Sequence, residues 1–204
     1  PGGEARVYPG SPVLMAQLLR HEARDRLKLF ELHPTDINAL AGNMAQLELG
    51  RAVQVSREDG FESLKKLLPP PASTSGSKRA MVLIDPSYEI KSDYAKVSQV
   101  IADCLKRFPT GTYLVWYPII PRPEAHELPR RLRTLANQAR RSWVHATLAI
   151  GKGGEGDTGL SASGMFVINP PFTLAEQLRA ALAVVGPALA RGNGKGWQVE
   201  AGGA

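Results

Sequence analysis

Short apolar segments alternate along the chain with longer amphipathic segments, which is the pattern of β-strands connected by α-helices. The apolar segments predict strands over residues 27–31, 52–55, 80–84, 112–117, 143–150 and 165–169. The amphipathic segments predict helices over residues 12–22, 35–49, 60–68, 94–107, 122–141 and 174–189. We expect an interruption at Pro129, because proline lacks the N–H that a helix interior uses. This order predicts an α/β fold with a mostly parallel sheet, in one domain over residues 1–204.

Some of these segments also predict their own place in the sheet. The 80–84 segment is the most apolar, which is typical of a central strand buried on both faces. The consecutive strands 143–150 and 165–169 predict a terminal hairpin, so the second of them should be antiparallel to the rest. The Gly-rich segment 192–204 predicts a flexible tail.

Composition excludes several classes of protein. Of the 204 residues, 43% are hydrophobic and 22% charged, which is enough to bury a core and is unlike a disordered chain. Cys104 is the only cysteine, which excludes internal disulfides and zinc sites built from several thiolates. The histidines have no metal-ligand spacing, so we expect no metal site. Because no apolar segment approaches the ~18 residues that span a bilayer, we expect a cytoplasmic protein without membrane contact.

Positive charge is in modest excess, with 25 Lys and Arg against 19 Asp and Glu and a formal net charge of +6. This balance permits a polyanionic partner. The densest positive stretch covers the fifth predicted helix and its ends, and it contains Arg122, Arg130, Arg131, Arg133, Arg140 and Arg141. These arginines either form a solvated helix face or contact RNA phosphates, in which case binding should depend on salt.

Acidic residues follow three of the predicted strands. In open α/β sheets, ligands bind beyond the carboxyl ends of the parallel strands. Glu31 ends its strand, where a carboxylate can accept hydrogen bonds from both hydroxyls of a ribose. Asp59 can accept from a nucleobase amine while Gly60 lets the backbone approach closely, or the pair is a turn that caps the next helix. We expect Glu31, Asp59 and Asp85 to meet at one edge of the sheet.

The sequence Asp85-Pro86-Ser87-Tyr88 directly follows the 80–84 strand and suits chemistry on an exocyclic amine. Such an amine is a poor nucleophile because its lone pair is delocalised into the ring. Two acceptors aimed at its hydrogens would stabilise the pyramidal nitrogen that forms as it attacks. The Asp85 carboxylate and the Pro86 carbonyl can be those acceptors, and Tyr88 can stack on a base taken out of its helix. The alternative is a strand exit with an incidental tyrosine.

A second sequence of this kind, Asn169-Pro170-Pro171-Phe172, follows the last predicted strand. Judged by residue types alone, it matches an amine-methylase motif better than Asp85-Pro86-Ser87-Tyr88 does. The predicted hairpin, however, directs the end of this strand to the edge opposite Asp85. We therefore interpret Asn169 as part of a structural exit into the last helix.

Ser11 belongs to a Gly-Ser pair at the start of the first predicted helix. Its hydroxyl and the neighbouring N–H groups can bind a carboxylate or a phosphate. The alternative role of Ser11 is to cap the helix.

Seven short motifs occur in a fixed order along the chain. They are Tyr8-Pro-Gly-Ser-Pro, Glu31-Leu-His-Pro-Thr-Asp36, Asp59-Gly-Phe, Ile84-Asp-Pro-Ser-Tyr-Glu89, Trp116-Tyr-Pro, Ser161-Ala-Ser-Gly-Met165 and Asn169-Pro-Pro. In this order they resemble the RlmJ family, the 23S ribosomal RNA adenine-N6 methyltransferases, up to about residue 190. The resemblance implies a Rossmann-like class I methyltransferase fold with helices on both faces of the sheet. It also implies methylation of an adenine amine in large-subunit ribosomal RNA, with S-adenosylmethionine as cofactor.

The resemblance further implies roles for individual residues. Ser11 and Glu31 would contact S-adenosylmethionine, Glu31 through the ribose hydroxyls. Asp59 and Gly60 would hold the adenine end of the cofactor. Asp85 would border the cofactor and face the target amine as the catalytic residue.

Beside Asp85, the resemblance implies that Pro86 contributes to catalysis and that Tyr88 stacks on the flipped adenine. The family motif reads Asp-Pro-Pro-Tyr, whereas this chain has Ser87 at the third position. Serine keeps both acceptors but removes the stiffness of one ring, so we expect weaker preorganisation.

The family also has a first strand, with an Asp-x-x-x-Gly-x-Gly-like loop, before the segment that corresponds to Tyr8. We therefore expect this chain to be the C-terminal portion of a longer protein and to lack that strand. Two alternative functions stay open: a DNA adenine methylase, and a nucleic-acid-binding protein without catalysis.

Overall fold

The computed structural model describes residues 8–20, 22–72, 78–152, 159–192, 194 and 196–203. The described residues fold into two compact units, Pro1–Lys66 and Leu67–Ala204, and each unit has its own sheet. The single domain and the missing strand stay predictions. None of the helices in the described ranges is long and apolar enough to cross a membrane.

The described part of the first unit is built on the parallel pair of strands β1 and β2. Its elements are α1 (Ser11–Gln17), β1 (Leu27–Phe30), α2 (Asp36–Ala45), β2 (Val53–Ser56) and α3 (Gly60–Leu67). The pairing extends from Leu27 opposite Val53 to Phe30 opposite Ser56, so both strands end at the same edge. The core is formed by the buried residues Ala16, Leu27 and Met44, which the apolar side chains of α1, α2 and the strands surround.

The described part of the second unit is built on a five-stranded mixed sheet with the strand order β3-β4-β6-β5-β7. Its elements are β3 (Met81–Ile84), α4 (Ser92–Arg107), β4 (Thr112–Pro118), α5 (Pro123–Gln138), β5 (Trp143–Ala149), β6 (Ala162–Ile168), α6 (Leu174–Leu189) and β7 (Gly196–Gly202). Strands β3 and β4 are parallel, and β6 is antiparallel to both β4 and β5. The predicted α/β class and the antiparallel hairpin of β5 and β6 are confirmed. The prediction of a mostly parallel sheet is wrong for this unit, because β3 and β4 form the one parallel pair among its described strands. The hairpin is also not terminal, because β7 pairs with β5.

Helices α4 and α5 bury one apolar stripe each. On α4, the side chains of Val97, Ile101, Cys104 and Leu105 are buried, and on α5 those of Ala125, Leu128, Leu132 and Ala136 are buried. Spacings of three and four residues place each set on one helix face. Helix α5 continues through Pro129, so the predicted interruption is wrong. The proline removes one backbone donor, and packing of the stripe keeps the helix intact.

Strand β3 does not have the central position that its apolar sequence predicts. Met81 is 55% exposed, and among the described strands β3 pairs only with β4. The prediction of burial on both faces is therefore wrong for this structure. An apolar run predicts that a strand is buried to some extent, but its neighbours in the sheet depend on distant parts of the chain.

Strand β7 lies inside the segment 192–204, which the sequence predicts to be a flexible tail. It pairs with β5 from Trp143 opposite Gly202 to Ala149 opposite Gly196, and this corrects the prediction. A Cβ at Gly202 would lie 2.8 Å from Cζ2 of Trp143, so this glycine makes room for a neighbouring indole. Here glycine indicates close packing of the strand, not flexibility.

Gly164 on β6 leaves the space that the ring of Tyr117 fills. A Cβ at this position would overlap the ring, which is buried and whose hydroxyl shares a hydrogen bond of 2.7 Å with Nε2 of His145. We expect Gly164→Ala to lower the free energy of unfolding by about 1–3 kcal/mol, because the ring cannot move aside without losing these contacts. Urea denaturation measures this change.

The matched control for this substitution is Gly42→Ala on α2, where no described atom outside the neighbouring backbone of α2 lies within 4 Å of the added Cβ. Alanine has the higher helix propensity, so we expect no loss of stability. A loss in Gly42→Ala as large as that in Gly164→Ala would contradict the steric explanation.

Candidate functional site

Glu31 and Asp59 lie beyond the carboxyl ends of β1 and β2 in the first unit. The Glu31 N–H donates to the carbonyl of Ser56 at 3.3 Å, which extends the parallel pairing by one residue. Asp59 follows three residues after Ser56 and directly precedes α3. Both carboxylates are therefore at the ligand-binding edge that such a sheet offers.

The Glu31 carboxylate is held in place by the main chain. Its Oε1 accepts a hydrogen bond of 2.7 Å from the N–H of His33, and the residue is half-buried. A carboxylate can accept further hydrogen bonds at both oxygens. The orientation of Glu31 is thus set without using up its capacity to bind hydroxyl groups.

Asp59 caps α3, which is the alternative role that the sequence left open. Its Oδ1 accepts from the N–H of Phe61 at 2.8 Å, and its carbonyl accepts from the N–H of Ser63 at 3.0 Å. A Cβ at Gly60 would lie 3.3 Å from Cβ of Phe30, so close packing favours glycine there. Both residues have a structural role at the edge where the sequence predicts a ligand.

Ser11 is the first residue of α1 and is half-buried. The N-cap position is occupied by Gly10, and no side chain caps this helix end. The alternative of a capping role for Ser11 is therefore wrong, while its predicted contact with the cofactor stays a prediction.

In the second unit, Asp85 is the first residue after β3, at the carboxyl end of the parallel pair β3 and β4. Its side chain is solvent-exposed, yet the surrounding protein removes part of the carboxyl group's hydration and raises its pKa. Pro86, which follows, is half-buried. The loop thus presents an accessible carboxyl group that is more basic than an ordinary aspartate. The meeting of Asp85 with Glu31 and Asp59 stays a prediction.

Tyr88 is only 2% exposed, and its ring faces the protein interior. The ring centroid lies 4.7 Å from that of Tyr94, and the hydroxyl donates to the carbonyl of Trp116 at 2.7 Å. Burial, together with the charge of Asp85, raises the pKa of Tyr88, so the hydroxyl stays protonated and remains a donor. A ring packed in this way has no face for a base, so the structure supports an anchoring role for Tyr88 instead of the predicted stacking.

Arg122 contacts the loop that follows β3, and the sequence pattern does not indicate this contact. It precedes α5, and its Nη1 donates to the carbonyls of Tyr88 at 3.3 Å and Glu89 at 3.5 Å. The only available signal is that β3 and β4 are adjacent and parallel, which brings the segments after them to one edge. Nothing in the sequence says which side chain of one segment binds the other.

Other arginines of the basic stretch also have partners within the protein. Arg131 pairs with Glu127 at 2.7 Å, and Arg133 pairs with Glu200 while lying 4.7 Å from the ring centroid of Trp143. These pairs neutralise part of the charge that the sequence offers for phosphate contacts. Within the described residues, no group of three or more His, Cys, Asp or Glu side chains could hold a metal ion.

Asn169 lies at the other end of the second sheet. Strand β6 is antiparallel to β4, so its end lies beside the beginning of β4. There, Nδ2 of Asn169 donates to the carbonyls of Pro109 at 2.9 Å and Gly111 at 2.7 Å. The interpretation of Asn169 as a structural exit is confirmed, and Phe172 after it is 97% exposed.

Comparison with known proteins identifies the family. The family model described as ribosomal RNA large subunit methyltransferase D, RlmJ, matches residues 1–201. The chain belongs to the RlmJ family. This membership confirms the resemblance inferred from the motifs and the Rossmann-like fold class that it implies.

Two curated relatives of this RlmJ chain are named ribosomal RNA large subunit methyltransferase J. The relative from Haemophilus influenzae is 38% identical over 98% of this chain and 66% of its own length. The relative from Escherichia coli is 39% identical over 88% of this chain and 59% of its own length. A crystal structure of a Legionella pneumophila protein has a TM-score of 0.76 at 29% identity, covering 97% of this chain and 67% of that one. The chain therefore spans less than two thirds of the length of either curated relative.

Proposed function

We propose that this RlmJ family member methylates the exocyclic amine of an adenine in 23S ribosomal RNA, in the cytoplasm. The observation that carries the proposal is the accessible Asp85 carboxyl group of raised pKa, directly before Pro86 at the carboxyl end of β3. The names of the two curated relatives support the same activity and substrate class.

In this proposal S-adenosylmethionine is the methyl donor, and Glu31 binds the hydroxyl groups of its ribose. The donor set of the first unit fits a nucleoside, because a carboxylate fixed by the His33 N–H follows β1. Asp59 and Gly60 at the end of β2 would border the adenine of the cofactor. Ser11 would contact the same molecule through its hydroxyl group.

Asp85 and Pro86 would act on the target amine. When bound, S-adenosylmethionine would supply an electrophilic methyl group: the N–C bond would form as the S–C bond breaks, S-adenosylhomocysteine would leave, and the methylated nitrogen would then lose its extra proton to water. The Asp85 carboxylate accepts one hydrogen of the amine, and the Pro86 carbonyl accepts the other. These hydrogen bonds strengthen as the nitrogen becomes pyramidal and positive, so they stabilise the transition state more than the bound substrate. Tyr88 holds the loop from the interior side.

The proposal is tested by transfer of labelled methyl groups from S-adenosylmethionine, with the full-length protein and unmodified 23S ribosomal RNA. We expect the label in N6-methyladenosine after nuclease digestion. DNA of matched sequence is the competitor, and labelling of DNA in place of RNA would identify a DNA methylase. Absence of label in both, with no heat of cofactor binding in calorimetry, would contradict any methyltransferase function.

Glu31→Ala is expected to weaken binding of S-adenosylmethionine by about 10–100-fold, since it removes hydrogen bonds to a charged acceptor. Glu31→Gln should weaken binding less, because it keeps one acceptor oxygen. Calorimetry of cofactor binding measures both. Glu48→Gln is the control, because the exposed Glu48 precedes β2 and lies at the opposite end of that strand. Equal losses in the Glu31 and Glu48 variants would contradict the assignment.

A further inference from the structure

The loop that carries Asp85 is attached at its far end to the beginning of α5. Arg122 is half-buried, and its guanidinium group donates to two successive carbonyls of the loop, those of Tyr88 and Glu89. A guanidinium group is charged at every working pH, and hydrogen bonds from charged donors are stronger than those between neutral groups. The proposed mechanism makes no use of this contact.

The contact lies where the backbone is strained. Tyr88 has a φ of +55°, in the left-handed region, which is unfavourable for a residue with a side chain. Such a conformation persists where the surroundings determine it. The buried ring, the hydroxyl bound to Trp116 and the carbonyl bound to Arg122 hold Tyr88 in this conformation.

Pro86 and Ser87, between Asp85 and Tyr88, do not by themselves fix the conformation of the loop. Pro86 has a fixed φ, but Ser87 is exposed and free of such a ring. The Ser87 hydroxyl accepts a long hydrogen bond of 3.5 Å from the N–H of Glu89. The positions of the Asp85 carboxyl and the Pro86 carbonyl therefore depend on how firmly the segment after Ser87 is held.

We propose that Arg122 is a positioning residue, which fixes the Tyr88–Glu89 backbone and through it the two acceptors for the target amine. This inference rests on the proposed function and adds a residue to it. Misplacement of a reacting group by about 1 Å can lower a rate by about 100-fold. Removal of the guanidinium group should therefore lower kcat more than it changes cofactor binding, which we assign to the first unit.

The test compares Arg122→Gln, Arg122→Lys and the wild-type full-length protein in two measurements. Hydrogen exchange, followed by mass spectrometry without RNA or cofactor, reports the opening of the segment 86–91. We expect exchange there to rise several-fold in Arg122→Gln, with unchanged exchange in the buried part of α4. We also expect kcat to fall about 10-fold with an unchanged KM for S-adenosylmethionine, and Arg122→Lys to recover part of both effects.

Arg179→Gln on α6 is the matched control, since Arg179 is an exposed arginine outside this loop, and both readouts should stay at the wild-type value. Unchanged exchange in Arg122→Gln would overturn the attachment of the loop. Faster exchange with unchanged kcat would overturn the positioning role, and faster exchange throughout α4 would show a general structural role instead. A wild-type protein that transfers no methyl group would overturn the proposed function and the catalytic part of this inference, while the exchange data would still decide whether Arg122 holds the loop.

Discussion

Asp85→Ala is expected to lower the rate of methyl transfer by at least about 100-fold, because it removes an acceptor that stabilises charge in the transition state. The side chain is exposed at the end of β3, so its loss leaves no cavity and the protein should fold normally. Asp85→Asn keeps one acceptor oxygen but not the charge, and we expect a smaller loss of about 10-fold. Single-turnover methyl transfer with labelled S-adenosylmethionine measures both variants.

The raised pKa of Asp85 predicts a pH dependence for the same reaction. The carboxyl group accepts hydrogen bonds fully only when ionised, so the rate should fall as pH falls through its pKa. Because partial loss of hydration raises this pKa, the fall should lie above the ordinary aspartate value of about 3.9. Asp85→Asn cannot titrate, so this acid limb should disappear in its residual activity.

The same pKa shift fixes the sign of the effect on stability. The folded state binds the Asp85 proton more tightly than the unfolded state, since the folded-state pKa is raised. The contribution of this group to stability is therefore present below the unfolded-state pKa and lost as pH rises through the folded-state pKa. At pH 7 Asp85→Asn should be at least as stable as the wild-type protein in urea denaturation.

Asp103→Asn is the control for these measurements. Asp103 is a half-buried aspartate of the second unit, paired with Arg107 along α4. The Asp103→Asn variant should transfer methyl groups at the wild-type rate, and its rate should fall at low pH as that of the wild-type protein does. An unchanged rate in Asp85→Ala would remove Asp85 from the mechanism.

Element boundaries follow closely from the sequence where the signal is local. The segments 27–31 and 112–117 correspond to β1 (Leu27–Phe30) and β4 (Thr112–Pro118), and 94–107 corresponds to α4 (Ser92–Arg107). Hydrophobic periodicity depends only on neighbouring residues, so it is readable without the fold. The place of a strand in the sheet depends on distant partners, which is why the positions of β3 and β7 differ from the predictions.

The candidate site shows the same division. That Asp85 follows a strand and that Asn169 ends an antiparallel one could both be derived from strand order and direction. The burial of Tyr88 could not, because it depends on Trp116 and Tyr94, which approach only after β3, α4 and β4 have packed. The bond from Arg122 to the loop depends on the same packing.

Asn169→Ala is expected to lower the free energy of unfolding by about 2–4 kcal/mol. This structural role contrasts with the sequence around Asn169, which resembles a methylase motif more closely than the sequence around Asp85 does. Each hydrogen bond from Nδ2, to Pro109 and to Gly111, contributes about 1 kcal/mol, and the carbonyls lose their partner. Asn169 also has a φ of +52°, which asparagine tolerates better than alanine by about 1 kcal/mol. Urea denaturation at pH 7 measures the loss.

Further variants of Asn169 separate these contributions. Asn169→Gly relieves the backbone strain but not the lost bonds, so it should lose about 1 kcal/mol less than Asn169→Ala. Asn169→Asp places a carboxylate against two carbonyl oxygens, so it should be the least stable of the three at pH 7. The contact raises the pKa of that new carboxyl group, so the protein should regain stability as pH falls and the group becomes a donor.

Substitutions at Asn169 should lower stability and leave catalysis unchanged, whereas substitutions at Asp85 should do the reverse. The two residues lie at opposite edges of the second sheet, because β6 is antiparallel to β4 while β3 is parallel to it. At a temperature where the Asn169 variants stay folded, we expect their methyl transfer per folded molecule to equal that of the wild-type protein. The Asp85 variants should instead lose the rate and keep their stability. Loss of rate in Asn169→Gly without loss of stability would transfer the catalytic assignment to the second motif, because hydrogen bonds that only close the sheet cannot alter the reaction without weakening the fold.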